Sequence, residues 1–497
     1  MKLLKISAIA AAACLVATSV SADEVKSKRS LKGNMMEVYN VLPGSANSIS
    51  EAFANGVFYG RLRTNAFKWD WKNDDTDATG NKDNTALGLG GSMIYKTASF
   101  DGLSATAGMY FSSSPFFHED QDEIGYTKAG KDTFSRYNVA TQDNYTLAVL
   151  GQAYLQYNIS KNSVKLGRQI FESFLTKSND TKMIPNTFDG VTFETKELAD
   201  TRIRAAYFLT QKLRDHGTSH DVVTFNDENG DKWNNNDDSA VHKGLSYANF
   251  EAAGEDTDHA LIVVDAQNKS VKGLQVDFTY AAVPNVVSSV TGELNYKIGL
   301  PGGFALTPGV RYMYQMDNGG GEIGGATLKG GLAGQTGAAG GYKEADSLDS
   351  SLYMARLVLT QGALKAQVGY SAVEDAGDIV APWRGFPTGG YTRAMAQYNW
   401  YANTKTTAAE VKYDFGKAKL VPGFTAMVRY AMQDFDEAKQ ASGVQADSNI
   451  LHMDFIEKFT PDMYAKVRVG LVSADERENG TEKDSYNEYR FELNYLF

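Results

Sequence analysis

Apolar and polar residues alternate one for one along most of this chain. Leu274, Val276, Phe278 and Tyr280 interleave with Gln275, Asp277 and Thr279. Ala409, Val411, Tyr413 and Phe415 do the same with Glu410, Lys412 and Asp414, as do Val290, Leu294, Tyr296 and Ile298 with Thr291, Glu293, Asn295 and Lys297. Successive side chains of a strand point to opposite faces, so each segment is a strand with one apolar and one polar face. The polar face carries full charges and must be wet. A soluble sandwich alternates too, with its polar face outward. Two features favour a membrane barrel instead: the pattern fills nearly the whole chain, and the connections alternate between short turns and long loops. The short turns include Ser99 to Gly102, Pro301 to Gly303 and Pro461 to Asp462; the long loops include roughly Ser114 to Asn144, Lys212 to Asp258, Asp317 to Ser350 and Glu374 to Asn403.

Eighteen strands are expected, at about 57–69, 85–97, 102–113, 145–158, 162–170, 188–197, 201–211, 258–267, 271–282, 288–299, 304–316, 351–360, 363–373, 404–415, 423–434, 448–459, 463–473 and 486–497. Tyr391 to Tyr401 has enough strand character for a nineteenth, but an odd count would leave the chain ends on opposite sides of the membrane, so it is assigned to a loop. The fold class is therefore all-β: a transmembrane antiparallel β-barrel over residues 57–497, with short periplasmic turns and long external loops. No run of eighteen apolar residues follows Ala22, which excludes a helical membrane protein.

Residues 1–22 read as a secretory signal peptide: Lys2 and Lys5, an apolar run from Ile6 to Val20, and the small-residue ending Val20-Ser21-Ala22. Residues 23–56 then form a periplasmic segment ahead of the barrel. The only cysteine, Cys14, falls in the discarded peptide, so no disulfide, thiolate metal site or cysteine nucleophile is available. Without residues 1–22, 47 basic residues face 60 acidic ones, which speaks against a nucleic-acid partner. The 27 Tyr and 25 Phe suit long strands with aromatic belts. An exported barrel of this kind is expected in the outer membrane of a Gram-negative bacterium, against lipid and lipopolysaccharide.

Motifs for other chemistry fail on inspection. The glycine-rich stretch Gly319 to Gly341 has Gly331 where a phosphate-binding loop needs Lys followed by Ser or Thr. In the acidic run Asn226 to Asp238, Asp227, Asn229 and Asp231 are followed by Lys232 rather than the Gly of a calcium loop. His216 and His220 have the spacing of helical zinc ligands, but Gly217 and Thr218-Ser219 argue against a helix there. No catalytic residue, metal site or cofactor is expected, and the chain is not expected to be an enzyme.

With the apolar face towards lipid, thirteen basic residues point inward: Arg61, Arg63, Lys165, Arg202, Arg204, Lys297, Arg311, Arg356, Lys412, Arg429, Lys466, Arg468 and Arg490. Seven acids join them: Glu194, Asp277, Glu293, Glu410, Asp414, Asp454 and Glu492. A chain that is acidic overall thus has a lumen biased towards positive charge, which focuses field on anions and carboxylates. The competing reading is that these charges only pair across strands.

The last strand sets Tyr489, Phe491, Leu493, Tyr495 and Phe497 against Glu488, Arg490, Glu492 and Asn494, and stops on the aromatic. This ending looks like the carboxy-terminal signature that the barrel-assembly machinery recognises. Val164-Lys-Leu-Gly-Arg168-Gln169, Asn179-Asp-Thr-Lys-Met183-Ile-Pro185-Asn-Thr-Phe188-Asp-Gly190 and Ala199-Asp-Thr-Arg-Ile-Arg-Ala-Ala-Tyr-Phe208 resemble the porin D (OprD-like) family. Glu51-Ala-Phe53-x-Asn-Gly56 and the Gly385-Phe-Pro387 to Asn403 loop look similar to its epsilonproteobacterial members. The resemblance implies a passive porin for small polar solutes, among them amino acids, peptides and organic acids. It also implies that the loop of about Phe171 to Thr187 folds into the lumen and narrows it together with Trp383 to Arg393. Solutes would pass along a ladder of basic side chains, which by position are Arg202, Arg204, Arg311, Arg356 and Arg429, opposite Asp180. Lys182 stands where the family more often has Arg, keeping the charge but losing bidentate geometry. Arg168 falls on the lipid-facing register unless a bulge re-aims it. A structural or adhesive surface protein with a poorly conducting barrel is the alternative, and both monomer and homotrimer are compatible with the sequence.

Overall fold

The computed structural model describes residues 29–31, 37–74, 81–128, 130, 133–178, 182–224, 242–332, 340–395 and 398–497. The expected signal peptide, the acidic run from Asn226 to Asp238 and Asp180 lie outside them. Eighteen long strands close into one antiparallel barrel. They are β1 (Val57–Trp71), β2 (Asn84–Lys96), β3 (Leu103–Ser113), β4 (Thr146–Ile159), β5 (Asn162–Gln169) and β6 (Thr187–Thr195). Next come β7 (Thr201–Lys212), β8 (Leu261–Asn268), β9 (Leu274–Val283), β10 (Val287–Tyr296), β11 (Ala305–Asp317) and β12 (Ser350–Gln361). The barrel ends with β13 (Leu364–Val373), β14 (Lys405–Asp414), β15 (Phe424–Asp434), β16 (Ser448–Thr460), β17 (Met463–Ala474) and β18 (Tyr486–Leu496).

Each strand pairs with the next, and β18 returns to β1 from Tyr486 opposite Trp71 to Leu496 opposite Arg61. Closure leaves no unpaired edge, the condition for strands to cross hydrocarbon. Phe497 completes the seam, its backbone N–H and C=O bonded to Gly60 at 3.1 Å each. The ninth strand begins at Leu274 rather than 271, because Gly273 at φ 83° turns the chain there and the Leu274 N–H bonds to Val271 C=O. Tyr391 to Tyr401 forms no barrel strand.

Outward positions such as Leu62, Leu155, Leu166, Val310 and Val411 are exposed, as a lipid-facing surface should be. The inward face departs from the simple polar-in pattern at the long-loop end. There Phe188, Phe208, Leu261, Val263, Met313 and Leu352 are fully buried and pack on loop residues Phe171, Leu175, Val222, Phe250, Leu328, Val380, Trp383 and Trp400. The loops thus build an apolar core inside the barrel mouth, and the wall is apolar on both faces where these side chains meet it.

At the opposite end the N-terminal segment braces the short turns. Ser45–Ala46 pairs in parallel with Ser99–Phe100. The helix Ile49–Ala54, capped by Ser48 Oγ accepting from the Glu51 N–H at 3.1 Å, follows, and Ala52 C=O accepts from the Ala98 N–H at 2.9 Å.

Candidate functional site

Two loops meet inside the lumen. The first, residues 170–186 between β5 and β6, crosses to the wall at β1 and β2. There Asn65 donates its side-chain amide to Lys182 C=O, and Lys182 Nζ lies 5.2 Å from the Phe67 ring centre. Met183 is fully buried against Gly88, where a Cβ would stand 3.1 Å from Met183 Cγ and 2.4 Å from Thr133 Cγ2. Gly88 is thus a notch in the wall that receives Met183.

The second loop, residues 374–404 between β13 and β14, reaches in from the other side and joins the first. Thr176 and Arg384 form an isolated antiparallel bridge, and the Lys177 N–H donates to Trp383 C=O at 3.1 Å. Gly385 packs directly on the backbone of Leu175. The junction is held from the long loop after β7: Arg384 forms a buried ion pair with Asp215 at 2.8 Å, and Trp383 Nε1 donates to Val222 C=O at 2.9 Å. On the wall side, Met395 sits against Gly470 and Tyr391 against Gly369, two more notches of the Gly88 kind.

What these loops leave open is a cavity of about 1100 Å³. Thirteen of its lining residues are Lys or Arg and five are Asp or Glu, so the excess positive charge lies in the passage although the chain is acidic overall. A family model described as an outer membrane porin of the OprD family matches residues 125–497. The chain belongs to the OprD family of outer membrane porins.

Solved structures agree on the fold. Acinetobacter baumannii OccAB3 superposes with a TM-score of 0.65 at 16% identity, covering 89% of this chain and 99% of that one. Pseudomonas aeruginosa OccK9 (OpdG) gives 0.65 at 15%, over 90% and 99% of the two chains. Pseudomonas aeruginosa OpdK, solved with vanillate, gives 0.64 at 13%, over 90% and 99%. Comparison with curated protein sequences returns no match. Family and fold are those of channel porins rather than enzymes, so this porin is a barrel of a Gram-negative outer membrane.

The residues singled out from the sequence fall into three groups in the porin. Arg202, Arg204, Arg311 and Lys182 line the cavity. Arg356 and Arg429 lie outside its lining and hold the second loop to the wall instead. Arg356 donates to Gly390 C=O at 2.9 Å and to Glu293 at 3.0 Å; Arg429 donates to Arg393 C=O at 2.6 Å and pairs with Glu410. Arg311 does both: it pairs with Glu293 and donates to Pro387 C=O at 3.2 Å and Gly389 C=O at 3.1 Å. Its guanidinium lies between Phe174 and Tyr391, at 4.8 and 4.6 Å from their ring centres. Arg204 forks onto Asp265 at 3.0 and 2.5 Å.

Arg202 differs from its neighbour. Among the described residues its guanidinium meets no hydrogen-bond or contact ion-pair partner, Glu194 acting on it only at longer range, and the ammonium of Lys177 on the first loop meets none either. Burial lowers the pKa of Lys177, with Glu172 and Asp265 acting against that and Arg311 and Arg204 adding to it. Arg168 does keep the outward register, in line with exposed Val164 and Leu166, and forks onto Asp189 at 2.7 and 2.9 Å.

Sequence reasoning missed Lys177, Arg214, Lys329 and Arg393, all loop residues on the cavity. No periodicity marks a loop side chain as inward. It also missed Asp265, whose strand reads as a plain apolar run because Leu261 and Val263 beside it face the loop core. His216 and His220 approach to 4.8 Å between ring centres, with no cluster of three potential metal ligands among the described residues.

Proposed function

We propose that this porin passes small polar solutes by passive diffusion and favours those bearing a carboxylate, such as amino acids, short peptides and organic acids. The observation that supports the reading is the cationic cavity, and within it Lys177 and Arg202, whose charged groups meet no hydrogen-bond or ion-pair partner among the described residues. Arg204 and Arg311 have much of their charge answered by Asp265 and Glu293 at contact distance. Lys177 and Arg202 do not, so an arriving carboxylate can gain a charge-assisted hydrogen bond there without displacing a protein acid. Vanillate, found in OpdK, is itself a carboxylate.

The test is the zero-current potential of purified protein in planar bilayers under a salt gradient, at low ionic strength where screening is weakest. Lys177→Gln with Arg202→Gln should shift selectivity towards cations and slow uptake of carboxylates, leaving neutral sugars little affected. Unchanged selectivity in a correctly folded double variant would refute the preference, and absence of channel steps in the unaltered protein would refute the diffusion reading itself.

A further inference from the structure

Ahead of the barrel the chain makes two three-residue strands, Arg29–Leu31 and Glu37–Tyr39, paired antiparallel with Arg29 opposite Tyr39 and Leu31 opposite Glu37. Their contacts are with the inner wall. The Glu37 carboxylate accepts from Ser92 Oγ, and the Tyr39 ring stacks on that of Tyr59 at 5.4 Å between centres. Ser92 and Tyr59 belong to the inward face of β2 and β1, since Met93 and Phe58 beside them are exposed on the lipid side. Arg29, at the lower end of the pair, forms an ion pair at 3.2 Å with Asp462 in the turn between β16 and β17. The two strands are thus fastened to β1 and β2 at one side and to the β16–β17 turn at the other, across the seam that closes the barrel.

Depth decides what the pair does. Val57 starts β1 at the short-turn end, and Ser92 stands opposite Arg61, four residues further in. Four steps of about 3.3 Å along a strand tilted by about 40° place the Glu37 carboxylate roughly 10 Å inside the barrel. The wall that the pair contacts is covered: Arg61 and Asn494 are 0% exposed and Arg63 3%. Lys297 and Lys412, inward residues at the same end of β10 and β14, are exposed. A two-stranded ribbon is about 10 Å wide, so it takes up part of the section that a solute must cross. It also brings charge. Arg63 lies 3.7 Å from Glu492 across the seam, and Glu37 adds a second acid at the level of Arg61.

We infer that Arg29–Leu31 and Glu37–Tyr39 form a second constriction of the channel, at its short-turn end, in which Glu37 is a residue that sets charge selectivity. The cavity between the two lumenal loops is cationic and draws anions in. Below it an anion would next meet Arg61 and Arg63 and bind again. Glu37 and Glu492 answer those cations, so the lower constriction limits size while leaving an anion free to move on. The inference presumes a conducting barrel and is independent of the carboxylate preference, since its variants leave Lys177 and Arg202 in place.

Position is tested with Glu37→Cys and Ser92→Cys together in a Cys14→Ser background, treated with dibromobimane, which fluoresces once both of its arms have reacted. The folded protein should give the bridged product, and Glu37→Cys with Lys297→Cys should not. Function is tested in planar bilayers. Deleting residues 29–39, which takes nothing from a barrel strand, should keep heat-modifiable migration and raise single-channel conductance by about 1.2- to 2-fold. Glu37→Gln keeps an acceptor for Ser92 Oγ and removes the charge, so at low ionic strength the zero-current potential should move towards anion preference. Absence of the bridged product, unchanged conductance in the folded deletion variant, or unchanged selectivity in Glu37→Gln would each overturn the inference. Should the shortened chain fail to fold, the bridging and the selectivity of Glu37→Gln decide between them.

Discussion

Replacing Gly385 with Ala tests whether the two lumenal loops act as one constriction. The added methyl would stand 2.2 Å from Leu175 O and 2.5 Å from both Leu175 C and Cα, all backbone atoms that cannot swing aside. Ordinary carbon contacts begin near about 3.5 Å, so the two segments must part by roughly 1 Å or more. Overpacking of this kind costs about 1–3 kcal/mol. The hydrogen bond from the Lys177 N–H to Trp383 C=O, at 3.1 Å, is the nearest casualty and adds about 1 kcal/mol if lost. A total of about 2–4 kcal/mol exceeds the stability of most single loop contacts. It should leave the barrel ladder alone, since Gly385 belongs to no strand. The expected outcome is normal heat-modifiable migration in gels, altered single-channel conductance with increased current noise, and faster hydrogen exchange of the Lys177 amide. Gly299→Ala, where nothing lies within 4 Å, is the control and should change none of these. Wild-type conductance, noise and Lys177 protection in G385A would refute the picture of a loop pair locked through this glycine.

Three further outcomes are expected. Met183→Ala should empty the Gly88 notch, at a cost of about 2–5 kcal/mol to the packing of the first loop, read as greater conductance fluctuation with an intact barrel. Deleting Phe497 removes two backbone hydrogen bonds to Gly60 and a ring 6.0 Å from Phe58 at the closing seam, so less folded protein should reach the outer membrane; equal amounts of the fast-migrating form in unboiled gels would contradict this. His242 in the long loop after β7 is buried, its Nδ1 accepting from the Gly244 and Leu245 N–H groups, and burial brings its pKa down to about 4. A depressed histidine contributes fully above its unfolded value near 6.5 and loses that contribution as pH falls towards 4, by about 3 kcal/mol at the lower limit. Exchange of the Gly244 and Leu245 amides should therefore speed up beyond its intrinsic pH dependence between pH 7 and 4.5, and an unchanged protection factor would count against it.

Periodicity alone determined the barrel. A strand with lipid on one side and water on the other must alternate, and β10, β14 and β18 announce themselves because both solvents reach them. The same rule explains where the sequence fell short. Leu261, Val263, Met313 and Leu352 face inward onto a core made by loops, so their strands lose the alternation and Asp265 was hidden among apolar neighbours. The individual arginines on the wall were legible, yet their partners were not: whether Arg311 meets a solute or a protein acid depends on strand register, which sets Glu293 opposite it, and on a loop whose Pro387 and Gly389 arrive from more than seventy residues away. Lys177 came from a segment with no period at all. Gly88, Gly369, Gly385 and Gly470 look interchangeable with any other glycine in the chain, and only the approach of Met183, Tyr391, Leu175 and Met395 gives them a purpose. Local pattern fixes which way a strand side chain points, whereas the constriction is made by loops and by pairing across the barrel, and those are set only when the chain closes on itself.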